Sequence, residues 1–147
     1  MDITKIEEKI GYTFSDKNKN LLLRALTRKA FAKEQQDKNQ DCEHQEVLST
    51  LGDAVWELVL SDLLIPGCKT SDDLTTKRKE LVGHPAQAEI AQNLGIEQFI
   101  KMTNGEKKDE NKESILEATF EALIGAIFID AGYDETKKVV NKWFHFA

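Results

Sequence analysis

The chain has 147 residues, a size that fits one domain able to bury a real core. A formal net charge of -6 and a pI of about 5.1 exclude nucleic-acid binding driven by overall charge, while leaving room for a local basic patch or a metal-bridged contact to phosphates. With only two prolines and eight glycines the composition favours helices over a turn-rich β fold.

Nearly every segment carries helical period. Ile3, Ile6 and Ile10 form the stripe of a short helix that stops at Gly11. Ser15 or Asp16 caps the next helix, whose apolar face is Leu22, Leu23 and Leu26. Residues 33–43 are polar and read as an exposed loop or a frayed helix end. A long helix runs over 46–64 and is stopped by Pro66-Gly67. Ser71 caps another over 72–82, and Pro85 starts a shorter one ending at Gly95. Residues 105–112 read as a solvated loop. The last long helix covers 114–131 and stops at Gly132, and Asp134 caps a terminal helix through Trp143 and Phe144. There is no strand pattern, repeat or linker, so the reading is a single all-α domain over 1–147, irregular rather than an up-down bundle. No apolar run reaches the roughly 18 residues of a membrane span, Met1 to Lys5 shows no signal peptide, and Cys42 and Cys68 are expected as reduced thiols in a cytoplasmic protein.

Two long helices each set a carboxylate within an apolar run: Asp53 in Leu48-Ser49-Thr50-Leu51-Gly52-Asp53-Ala54-Val55, and Glu121 in Glu121-Ala122-Leu123-Ile124-Gly125-Ala126. A lone buried carboxylate costs several kcal/mol unless it is paired, protonated or metal-bound. Two of them suggest a shared site, with the carboxylates within about 8 Å around one hydrated dication. Ser49, Asp53 and Glu57 share one helical stripe, and Glu117 and Glu121 another. Spacing alone leaves open that Asp53 is half-exposed and Glu121 sits at the edge of the core.

The residues 46–55, Glu-Val-Leu-Ser-Thr-Leu-Gly-Asp-Ala-Val, resemble the signature helix of the ribonuclease III family, E-R-L-E-F-L-G-D-A-V. Residues 114–126 resemble its second block, S-I-L-A-D-x-x-E-A-L-I-G-A. Ile10 to Phe14 and Ala25-Leu26-Thr27 are similar to its opening helices, and Leu74-Thr75, Arg78 and Leu81-Val82 to its middle helix. The resemblance is collinear over nearly the whole chain. It implies an all-α ribonuclease III-type endonuclease domain that forms a homodimer and cuts double-stranded RNA with magnesium or manganese and no covalent intermediate. Four acidic positions hold the family's metal. Asp53 and Glu121 match two, as catalytic and metal-binding residues. Ser49 and Ala118 replace the other two, and Ser71 stands at a further acidic position. Glu117, beside Ala118, either compensates or is a solvated first-turn glutamate. Glu46 is retained, and with Lys77 and Arg78 it is the expected RNA contact. The family's phenylalanine that plugs the partner subunit is Thr50. Leu48, Leu51, Val55, Leu58 and Val59 remain as apolar dimer surface, with Trp56 either an anchor or core. His44, His84 and His145 show no metal spacing. No double-stranded-RNA-binding domain is expected within 1–147. Two functions stay open: an endonuclease weakened at its metal site, or a catalytically inactive dimeric module for RNA binding or ribonucleoprotein assembly.

Overall fold

Helix α8 (Glu113–Ala131) is apolar on every side, and eleven of its residues are buried; a helix of that kind has to be the centre of its domain. The computed structural model describes residues 2–144, with His84 described by its backbone alone, so the expectation for His145 lies outside the described residues. Around α8 lie α1 (Ile3–Ile10), α2 (Lys19–Ala25), α3 (Lys29–Asp37), α4 (Glu46–Leu64), α5 (Ser71–Leu81), α6 (His84–Leu94), α7 (Asn104–Lys108) and α9 (Tyr133–Phe144). Helices α2, α4, α6 and α9 pack directly on α8. The fold is all-α, with no strand among the described residues beyond one isolated bridge between Thr27 and Lys101. None of the described helices is long and apolar enough to cross a membrane.

The interface between α4 and α8 is set by two glycines. A Cβ added at Gly52 would lie 1.7 Å from the carbonyl oxygen of Glu121, and one at Gly125 would lie 2.3 Å from the carbonyl oxygen of Leu48. The two backbones therefore touch where the helices cross. Trp56 is fully buried, stacked on Phe144 at 4.8 Å and edge-on to Phe120 at 5.2 Å, so it belongs to the core and not to an interface. Trp143 closes the domain by donating its Nε1–H to the carbonyl of Ile10 at 2.8 Å.

Several local expectations shift. Residues 33–37 belong to α3, which runs through the polar stretch, while the remainder up to 43 is loop. The charged stretch after Thr103 forms α7, because Thr103 and Glu106 make a reciprocal capping box. Thr70, not Ser71, caps α5, again with a capping box, to Asp73. Asp134 sits in the first turn of α9 rather than at its cap. Ser15 caps nothing with its side chain. Its hydroxyl and amide turn to Asp130 at the end of α8, which also accepts from Tyr12 and Asn18. Burial alone would raise the Asp130 carboxyl, but the donors from Ser15, Tyr12 and Asn18 outweigh it and hold it far below the usual carboxylate range.

Replacing glycine by alanine inside a helix ordinarily gains up to about 1 kcal/mol. At Gly52 the clash with the Glu121 backbone reverses that sign: Gly52→Ala is expected to cost about 3 kcal/mol, a fall in Tm on the order of 10 °C for a chain of this size. Thermal unfolding followed by circular dichroism checks it, and an unchanged or higher Tm would show that the helices do not meet here.

Candidate functional site

Because Gly52 rests on the backbone of Glu121, its neighbour Asp53 is delivered beside the Glu121 side chain. Asp53 is exposed and Glu121 is only 9% exposed, and the two carboxyl groups are hydrogen-bonded. Burial, the bond to Asp53 and the negative charges of Asp53 and Glu57 push the Glu121 carboxyl up to about 8. At neutral pH Glu121 therefore keeps its proton and donates it to Asp53, and the pair carries one negative charge instead of two.

One turn along α4, Ser49 meets Ala118 of α8. The Ser49 hydroxyl donates to the Ala118 carbonyl oxygen at 2.7 Å. Positions 49 and 118, where the resemblance implies acids, thus face each other, and the Ser49 hydroxyl is engaged with the backbone. Glu117, next to Ala118, is half-buried. Glu57 extends the Asp53 stripe and lies 3.9 Å from the Arg78 guanidinium. Among the described residues no cluster of three or more His, Cys, Asp or Glu side chains is arranged to hold a metal ion. The donor set fits a dication only in a limited way: Asp53 and a deprotonated Glu121 supply two carboxylates, and a hydrated magnesium ion held by so few needs substrate oxygens as well.

The expected RNA-contact residues are dispersed. Glu46, at the start of α4, pairs with Lys29 at 3.1 Å. Lys77, on α5, donates to the carbonyl of Gly67 at 2.9 Å, and Arg78 faces Glu57. Sequence reading missed Gln45, which is 2% exposed. Its amide donates to Ala25 O at 2.8 Å and to Thr119 Oγ1 at 3.1 Å, while its Oε1 accepts from Arg28 Nη1 at 2.9 Å. Nothing in the spacing of residue types marks it, since a glutamine before a helix ordinarily reads as solvated.

The sequence model of the Ribonuclease-III-like family matches residues 18–146, and the chain belongs to that family. Ribonuclease 3 of Natranaerobius thermophilus is 36% identical over 147 residues, covering 97% of this chain and 61% of that protein. Ribonuclease 3 of Campylobacter jejuni is 37% identical over 142 residues, covering 94% of this chain and 59% of the relative. The chain thus spans about six-tenths of the length of these curated relatives. A solved nuclease domain of ribonuclease III from Campylobacter jejuni superposes with a TM-score of 0.83 at 35% identity, covering 98% of this chain and 96% of that one, and is described as flexible in the region that forms its dimer.

Glu121 links stability to pH. Its usual value is 4.5 and its value in the fold is about 8, so the folded protein holds a proton that the unfolded chain has released. That contribution is complete below about 4.5 and is lost as pH rises through about 8. In EDTA, Tm should therefore fall between these limits, and Glu121→Gln, which cannot ionise, should flatten this part of the profile. Parallel profiles for the two proteins would rule out a protonated Glu121.

Proposed function

We propose that the chain is a ribonuclease III-like endonuclease domain acting on double-stranded RNA, with metal-dependent hydrolysis weakened at its own metal site. The observation that carries this reading is the Ser49–Ala118 contact at 2.7 Å beside the Asp53–Glu121 pair. Half of the family's carboxylates are absent, and one of those retained holds a proton. Asp53 and Glu121 would hold the ion. When bound it supplies an activated water and charge stabilisation at the phosphodiester. The protein's part is to orient two carboxylates from a rigid helix crossing and to release the Glu121 proton as the ion enters. The reading is of one domain over 1–147 in the cytoplasm, consistent with Cys42 and Cys68 being free thiols.

A dimer completes the proposal. Val47 and Leu58 lie along the outer face of α4 and Ile65 follows at its C-terminal end; they are 64%, 59% and 55% exposed. Thr50 and Ala54 between them are also exposed, whereas Leu48, Val55 and Val59, expected on the dimer surface, are in the core. An apolar stripe of this length on one helix marks an interface, and a symmetric pairing would place the stripe against its own copy. Light scattering at tens of micromolar is expected to report a dimer, and Leu58→Glu a monomer. A wild-type monomer under those conditions would refute the pairing.

Cleavage of a long RNA duplex in magnesium or manganese tests the catalytic part. The wild type should be slow, Glu121→Ala inactive, and Ser49→Glu with Ala118→Asp faster by about 10²-fold, since each restored anion adds charge stabilisation for the ion. Efficient cleavage by the wild type that is abolished in Glu117→Gln would mean that Glu117 replaces the missing aspartate. A restored double variant as inactive as Glu121→Ala would favour the non-catalytic assembly module.

A further inference from the structure

A concavity of about 720 Å³ opens beside Ser49 and Ala118. Its lining is rich in cations: Arg28, Lys29 and Lys33 border it together with His44, and Glu46 and Glu106 are its acids. Both acids are already answered. Lys29 pairs with Glu46 at 3.1 Å, and Arg28 Nε with Glu106 at 2.9 Å. No carboxylate among the described residues pairs with Lys33, so the pocket carries a net positive charge in a protein whose overall charge is -6.

The arginine is built into place. The peptide of Arg28 follows the Thr27–Lys101 bridge, and its amide donates to the carbonyl of Lys101 at 2.9 Å. Its Nη1 donates to the buried Gln45 at 2.9 Å, and its Nε partner Glu106 is itself held by the amide of Thr103 at 3.1 Å. Nη2 has no protein partner among the described residues and remains for a ligand. A guanidinium fixed in this way loses little freedom on binding an oxyanion. Ser49 and Ala118 add no charge to the pocket, because Ser49 spends its hydroxyl on the Ala118 carbonyl and alanine offers nothing. Carboxylates at those two positions would make the same space hostile to an anion.

We propose that this pocket binds the phosphate of a single nucleotide without a metal ion. The volume exceeds that of a phosphate several-fold and falls in the range of small-molecule sites. A nucleotide fits a cavity of this size, as small-molecule ligands do. The ligand is a free nucleotide or the phosphorylated end of an RNA strand, and the second source rests on the RNA-processing reading above. Phosphate oxygens meet Arg28 Nη2 and Lys33 Nζ, and Ala30 and Ala118 leave room for the nucleoside.

Equilibrium dialysis in EDTA tests the pocket apart from any hydrolysis. Adenosine 5′-monophosphate should bind at least about tenfold more tightly than adenosine. Lys33→Glu, at an exposed position, and Ser49→Glu, which adds a carboxylate to the pocket lining, should each weaken that binding by about tenfold. Competition by a short single-stranded RNA bearing a 5′-phosphate, and not by its 5′-hydroxyl counterpart, would assign the ligand to RNA ends. Binding of the nucleotide with no competition from either RNA would assign it to a free nucleotide. Equal binding of adenosine and its monophosphate, indifference to both substitutions, or binding only with magnesium would overturn the proposal. Duplex cleavage by the restored variant can succeed or fail independently of these results.

Discussion

The contact between Gly52 and the backbone of Glu121 is the constraint on which the rest of the molecule depends. Only a residue without a Cβ permits it, since the added atom would fall 1.7 Å from a carbonyl oxygen. Gly125 repeats the arrangement against Leu48. With the backbones this close, the positions flanking the glycines have no freedom to choose partners. Asp53 is set on Glu121, and Ser49 on Ala118. The aromatic cluster of Trp56, Phe120, Trp143 and Phe144 then fills the space beyond the crossing and fixes its angle from the other side.

Placing a carboxylate in the most buried helix has a cost that the chain meets by protonation. Glu121 has one carboxylate partner and a second, Glu57, near enough to be felt. The cheapest state is one proton shared across the pair, as expected whenever like charges are forced together. Contrast Asp130 on the same helix. It is surrounded by donors from Tyr12, Ser15 and Asn18 and stays ionised, so it serves as an anchor for the chain entering α2. Two acids nine residues apart on α8 are thus driven in opposite directions by what faces them, and only the one facing another acid has a proton to give up.

How much of this was legible in the sequence differs between the helix crossing and the pocket. The span of α4 was readable to the residue, because its apolar period ends at Pro66-Gly67 and the family blocks fix its start. The pairing of Asp53 with Glu121 was readable because each is the anomaly in an apolar run, and two anomalies have one economical solution. Thr103 and Glu106 were missed as a cap because six of the eight residues in 105–112, Glu106 among them, are charged and made the segment look solvated, although a threonine three residues before a glutamate is a helix-start signal. The cationic pocket was not legible at all. Its wall comes from α3, the N-terminus of α4, α7 and α8, joined by a bridge between Thr27 and Lys101 that no periodicity announces. Arg28 and Lys33 read singly as ordinary surface cations, and their charge acquires meaning only once Gln45 and Glu106 hold one of them still.

The two substituted positions link these observations. Four carboxylates at one helix crossing repel one another and gain stability only when a dication neutralises them, so an active metal site of that kind lowers the stability of the metal-free protein. If Ser49 and Ala118 stand at two of those four positions, as the resemblance implies, much of that repulsion is relieved: Ser49 adds a hydrogen bond between α4 and α8, and Glu121 holds a proton beside Asp53. The same two residues also line the adjoining pocket, where they add no negative charge. Carboxylates at 49 and 118 would offset the positive charge of Arg28 and Lys33, which line the same pocket. On the readings proposed above, weaker binding of a cation and binding of a phosphate would therefore not be two separate changes in this domain. They would follow from the same pair of residues, because both ligands read the electrostatic potential of one small space between α3, α4 and α8.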